Sequence, residues 1–86
     1  MRDDKRPDTI LIADDTEVNR SVLRDLLHKE YEVAEAENGR EAIRIIAEKQ
    51  GRLAAVLLDF IMPEVDGKNV LRSIRRKNLI DIPVFL

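Results

Sequence analysis

The chain opens its pattern with a short, continuous apolar stretch, Thr9 to Ala13, bounded by Pro7-Asp8 before it and Asp14-Asp15-Thr16 after it. Such a run predicts a buried strand. In the next stretch Val18, Val22, Leu23, Leu26 and Leu27 recur at helical spacing, with Arg20, Arg24 and Asp25 on the opposite face. That spacing predicts an amphipathic helix that buries one stripe and is N-capped by either Asp15 or Thr16. From Tyr31 to Glu37 the acids Glu32, Glu35 and Glu37 are interleaved with small or apolar residues. This is the pattern of an edge strand whose exposed carboxylates discourage pairing with another chain. Asn38-Gly39 reads as a turn, with Gly39 in a structural role, and Glu41 to Gln50 then places Ala42, Ile43, Ile46 and Ala47 on one helical face before Gly51 ends the helix.

A second continuous apolar run, Leu53 to Leu58, predicts a central strand that stops at Asp59 and opens into the loop Phe60 to Gly67, where a glycine after Asp66 permits a positive φ. Val70, Leu71 and Ile74 mark a further helix, and Ile82-Pro83-Val84-Phe85-Leu86 begins a fourth strand with proline tolerated at its start. Strands alternating with helices through short connections place the chain in the α/β class. They imply right-handed crossovers, a parallel sheet, and chemistry beyond the carboxyl ends of the strands. Asp14, Asp15 and Asp59 all fall at that end.

Composition narrows the picture. With 86 residues the chain is at most one domain, and at this size roughly 60 to 65% of the unfolded surface can be buried. The absence of cysteine excludes disulfides, thiol nucleophiles and cysteine metal sites, so chemistry must come from oxygen or nitrogen. A net charge of −2 with scattered basic residues argues against a nucleic-acid footprint. The one basic group, Arg72, Arg75, Arg76 and Lys77, reads as the solvated face of a helix, and the lone His28 as solvent-facing in a charged turn. No run approaches the length of a membrane span, and the charged amino terminus does not resemble a signal sequence, so the expected location is the cytosol with no membrane contact.

If the three aspartates lie about 5 Å apart, each pair repels by about 3 kcal/mol at an effective dielectric near 20. Protonation, splaying into water or binding of a hard divalent cation would relieve this, and an oxygen-only set favours magnesium or manganese. Beside such an ion Asp59 is a candidate nucleophile toward phosphorus. Equally, acids gather after strands because they cap helices and make turns, and spacing alone leaves both readings open.

The segments Ile10-Leu11-Ile12-Ala13-Asp14-Asp15, Tyr31-Glu32-Val33, Asn38-Gly39-Arg40-Glu41-Ala42 and Leu57-Leu58-Asp59, followed by Met62-Pro63 and Asp66-Gly67, resemble in order the receiver domains of two-component response regulators. The resemblance runs from Thr9 to Leu86. It implies a flavodoxin-like doubly wound parallel sheet, incomplete at four strands interleaved with three helices, in the spatial order 2-1-3-4. It also implies that Asp59 accepts a phosphoryl group from a histidine kinase, a phosphotransfer protein or a small phosphodonor. Asp14, Asp15, Asp59 and the backbone carbonyl of Ile61 are the implied holders of Mg2+ or Mn2+, Asp15 directly and Asp14 largely through water. The apolar side chain of Ile61 is expected to slow hydrolysis of the acyl phosphate. By the same resemblance the chain is a signalling phosphoacceptor rather than an enzyme with turnover.

Receivers normally continue with a strand-terminal Ser or Thr, a further helix, a fifth strand ending in lysine, and a last helix, none of which comes after Leu86 here. Residues 1–86 are therefore expected to be a truncated receiver domain, a piece of a longer regulator or a self-associating unit, with switching impaired. Several hundred Å² of uncovered apolar surface would forgo roughly 10 kcal/mol of burial, comparable to the stability of a small domain. A marginal monomer that dimerises through the exposed sheet face and the carboxyl-terminal edge is expected. Two alternatives are a binding-only docking module and a phosphatase of the haloacid dehalogenase type. The latter needs a second acid where Ile61 stands.

Overall fold

The computed structural model describes residues 7–49, 51–59, 72 and 83–85. Four strands form one sheet: β1 (Thr9–Ala13), β2 (Glu32–Ala36), β3 (Leu53–Leu58) and β4 (Val84–Phe85), in the spatial order β2-β1-β3-β4. All pairings are parallel. Helices α1 (Glu17–Leu27) and α2 (Gly39–Lys49) connect the first three strands. Of the expected third helix only Arg72 is described, exposed and in helical conformation; Val70, Leu71 and Ile74 lie outside the described residues.

Every residue of β1 is buried, as a central strand of a parallel sheet covered on both faces requires. Strand periodicity sends Leu11 and Ala13 to one face, where they pack with Ala36, Ala42, Ile45, Ile46, Val56 and Leu58 into the main core. Leu11, Ile12 and Val56 are the largest side chains withdrawn completely from water.

The helix stripes differ from the sequence reading. On α2 the buried residues are Gly39, Ala42, Ile45 and Ile46, whereas Ala47 is exposed and Ile43 half-buried. The stripe thus centres one position away from the expected one. Gly39 belongs to the helix rather than to a preceding turn. Asn38 caps it, its Oδ1 accepting from the Glu41 amide at 2.8 Å, while Glu41 Oε1 accepts from the Glu37 amide at 3.2 Å. This is close to a reciprocal capping box.

On α1 the correction is larger. Val18, Val22 and Leu26, spaced i, i+4, i+8, are 68%, 54% and 72% exposed, and the buried residue is Arg20. Arg20 joins Leu23 and Leu27, both expected in the stripe and both half-buried, as the inward row. The cause lies on β2, where the period of two turns Glu35 toward α1, so that a carboxylate rather than an apolar side chain awaits the helix. Glu35 is accordingly half-buried and ion-paired, and not one of a set of exposed edge acids; Glu32 and Glu37 are exposed as expected.

At the amino-terminal end of the sheet, Asp8 fastens three strands. Its carbonyl accepts from the Glu32 amide at 2.9 Å, its carboxylate takes Arg52 Nη2 at 2.9 Å and 3.2 Å, and the Thr9 hydroxyl donates to it at 3.0 Å. Asp8 is 6% exposed, so this charge is buried with its partners in place. At concentrations low enough to keep the chain monomeric, Leu11→Ala is expected to destabilise it by about 2–5 kcal/mol, and Leu26→Ala by no more than about 0.5 kcal/mol. Denaturant unfolding followed by circular dichroism measures both; comparable losses would contradict the burial assigned to α1.

Candidate functional site

Strands β1 and β3 run side by side and end at the same level, with Ala13 opposite Leu58. The Asp59 amide donates to the Ala13 carbonyl at 2.8 Å, and the Asp14 amide to the Ala36 carbonyl at 3.0 Å. The residues after the two strands are therefore pinned by the ladder itself. As a result Asp14, Asp15 and Asp59 each present a carboxylate oxygen, and these three oxygens lie within 4.8 Å of one another. Asp14 and Asp59 are half-buried and Asp15 is exposed.

Local turn chemistry shapes part of this cluster. Asp14 Oδ1 accepts from the Thr16 amide at 2.8 Å and Oδ2 from Asn19 Nδ2 at 3.3 Å. Thr16 is the N-cap residue of α1 but makes no side-chain cap bond, so the start of the helix is braced by Asp14 instead. The Thr16 hydroxyl lies 3.4 Å from Asp15 Oδ1. Turn-making thus accounts for the presence of Asp14. At an effective dielectric near 20, charges at this spacing repel by about 3 kcal/mol per pair. Three hard oxygens, two of them on half-buried residues, fit a small divalent cation that keeps several waters.

Beside the acids runs an open groove of about 530 Å³, lined by Ile12, Leu23, Leu57 and Phe85 as well as Asp14 and Asp59. Apolar walls on one flank of a charged cluster lower the local dielectric and strengthen every charge interaction there.

Sequence reasoning missed the ion-paired floor of α1. Arg20 donates from Nε to Glu35 Oε1 at 3.2 Å and from Nη1 to the Asp14 carbonyl at 2.6 Å; Arg24 Nη1 holds the other Glu35 oxygen at 2.9 Å. The hydrogen bond that Arg24 donates to Glu35, and then the Glu35 charge, raise the pKa of Arg24 above the ordinary guanidinium value. The signal was present as a period-two glutamate facing arginines at i and i+4. Ile61, Met62-Pro63 and Asp66-Gly67 lie outside the described residues. His28 is exposed, as expected, with Nδ1 3.1 Å from the Asp25 carbonyl oxygen. Arg72 is exposed, while Arg75, Arg76 and Lys77 lie outside the described residues. Among the described residues no helix is long and apolar enough to cross a membrane.

A parallel sheet in the order 2-1-3-4 with acids at the ends of its two central strands defines a class of domain, and comparison with known proteins agrees. Residues 10–86 match the family described as the response regulator receiver domain, and the chain belongs to that family. It is 40% identical over 67 residues to the chemotaxis protein CheY of Halobacterium salinarum, an alignment covering 77% of this chain and 54% of that protein. The chain thus spans about half the length of that relative. Among solved structures, the receiver domain of the hybrid histidine kinase CckA is 39% identical with a TM-score of 0.79, covering 88% of this chain and 70% of that one. The response regulator TrrA of Thermotoga maritima, solved in complex with Mg(2+)-BeF, is 36% identical with a TM-score of 0.78, covering 90% and 65%. Receiver domains are signalling phosphoacceptors and bind Mg2+ at an acidic pocket, and this chain carries an aspartate cluster at the corresponding end of its sheet.

Asp15→Asn removes one unit charge from the cluster. A charge and a +2 ion at about 4 Å interact by about 2 kcal/mol even at the dielectric of water, so Mg2+ affinity is expected to fall by more than about tenfold. Titration with MgCl2, followed by the amide resonances of residues 14–16 and 59, measures this; an unchanged affinity would remove Asp15 from the metal set.

Proposed function

We propose that the chain is a receiver unit, spanning residues 1–86, in which Asp59 accepts a phosphoryl group while Asp14, Asp15 and Asp59, with the Ile61 backbone carbonyl, hold Mg2+ or Mn2+. The observation that carries this reading is the convergence of three carboxylate oxygens within 4.8 Å at the ends of β1 and β3. A bound divalent ion supplies charge neutralisation for the incoming phosphoryl oxygens. The chain supplies position. Its ladder fixes the Asp59 backbone against Ala13, with Asp59 among the residues lining the groove, and one Asp59 oxygen attacks phosphorus in line with the departing donor group. The aspartyl phosphate so formed is a labile acyl phosphate, and the apolar Ile61, two residues further along the chain, is expected to slow its hydrolysis by water.

The donor in this reading is a histidine kinase or a phosphotransfer protein, in keeping with the likeness to the CckA receiver of a hybrid histidine kinase. The location is the cytosol, where phosphodonors and magnesium are at hand, and no direct contact with nucleic acid or membrane is part of it. The chain catalyses no turnover beyond its own phosphorylation and dephosphorylation.

With Mg2+ and acetyl phosphate, the intact mass of the wild-type chain is expected to rise by one phosphoryl group, and Asp59→Asn is expected to stay unlabelled. Label that persists without Asp59 would overturn the assignment. No label at all would favour a binding-only module, and steady hydrolysis of phosphate monoesters a phosphatase.

The exposed row Val18, Val22 and Leu26, together with Phe85, which is 58% exposed on the β4 edge, supports a homodimer through the α1 side of the sheet and that edge. Size-exclusion chromatography with light scattering at micromolar concentration is expected to give twice the chain mass, and Leu26→Asp to give the monomer. A folded wild-type monomer would contradict the dimer.

A further inference from the structure

Arg20 occupies a place that the phosphoacceptor reading does not explain. It is the buried residue of α1, 9% exposed, and a guanidinium withdrawn from water must have its donors answered. Glu35 answers one, and the Asp14 carbonyl, at 2.6 Å, answers another. Glu35 is in turn held on its second oxygen by Arg24. A continuous path of hydrogen bonds therefore runs from β2 through Glu35 and Arg20 to the peptide that joins Asp14 to Asp15.

That peptide matters because the two aspartates are anchored differently. Asp14 is fixed through its amide and both carboxylate oxygens, to Ala36, Thr16 and Asn19. Asp15 is exposed, and among the described residues its carboxylate has only the 3.4 Å approach of the Thr16 hydroxyl. Its placement is inherited from the backbone, and rotating the Asp14–Asp15 peptide would swing it out of the cluster. We infer that Arg20 is a positioning residue for the acid cluster: by gripping the Asp14 carbonyl it fixes the Asp14–Asp15 peptide, and so sets how tightly the three carboxylates hold a divalent cation. The inference rests on the metal reading of Asp14, Asp15 and Asp59 and adds a residue to it.

The sign of the effect separates positioning from simple electrostatics. Arg20→Met removes a cation near the site, which on charge alone would tighten binding of a +2 ion. Positioning requires the opposite, and loss of groups that orient metal ligands weakens affinity by about 10–100-fold. A purely structural role is separated by Arg52→Met, which breaks the ion pair to buried Asp8 at the far end of the sheet.

The experiment is MgCl2 titration of the folded wild type, Arg20→Met and Arg52→Met, read by amide resonances. In the metal-free state the Asp15 amide nitrogen, which shares its peptide with the Asp14 carbonyl, is recorded as well. Arg20→Met is expected to weaken Mg2+ binding by about tenfold or more and to shift the metal-free Asp15 nitrogen; Arg52→Met is expected to do neither. Unchanged or tighter binding in Arg20→Met overturns the inference. If that variant does not fold, Arg20→Lys, which keeps a cation for Glu35 but lacks the planar fork that serves two acceptors, is judged by the same criterion. No response to Mg2+ in the wild type would bring down the metal reading itself, and this inference with it.

Discussion

The parallel, in-register pairing of β1 with β3 is the constraint on which the rest of the molecule depends. Because the two strands run the same way and end level, Ala13 beside Leu58, the residues that come after each strand must meet at one edge. In both cases the next residue is an aspartate. The repulsion this creates, about 3 kcal/mol per pair at an effective dielectric near 20, is of the size gained by burying one large apolar side chain, roughly 1.5–3 kcal/mol. Leu11, Ile12 and Val56, wholly withdrawn from water on these strands, hold the pairing against it. A core built for other reasons thus holds the three carboxylates together, and in the proposed metal reading a divalent cation is the partner that would relieve their repulsion.

Much of this was legible in the residues. Both central strands are continuous apolar runs, and the boundaries expected for them, 9–13 and 53–58, are those observed. Continuous runs report burial on both faces, so they read without ambiguity once their length is short. Convergence of Asp14, Asp15 and Asp59 followed from the topology alone, and their observed spacing is close to the distance of about 5 Å supposed from the sequence. Helix faces were harder. On α1 the apolar residues outnumber the inward positions, and hydropathy put Val18, Val22 and Leu26 in the stripe with Leu23 and Leu27 while placing Arg20 on the opposite face. The face is decided by a partner distant in sequence, Glu35, and single-helix periodicity carries no information about it. The Gly39 turn failed for a related reason: Asn38 and Glu41 form a cap three residues apart, which extends the helix through the glycine.

The corrections on α1 have one physical root and two consequences. Turning arginines toward the sheet anchors the helix by charge, at the edge where β2 offers a carboxylate, and leaves its apolar row facing outward. The inward side thereby reaches the Asp14 carbonyl and couples α1 to the acid cluster. The outward side, with Phe85 on the β4 edge, presents apolar surface. The longer relatives have more chain to place around such a sheet: this chain covers 65% of the TrrA structure it matches.

The central claim, that the carboxylate at the end of β3 is the one that bonds to phosphorus, is tested most directly by locating the bond. Treatment of the phosphorylated chain with borohydride reduces an aspartyl phosphate to homoserine, and peptide mapping then reads which residue was converted. The account predicts homoserine at position 59 alone, and only when Mg2+ was present during phosphorylation. Conversion at Asp14 or Asp15, or conversion at position 59 that does not depend on the ion, would contradict it.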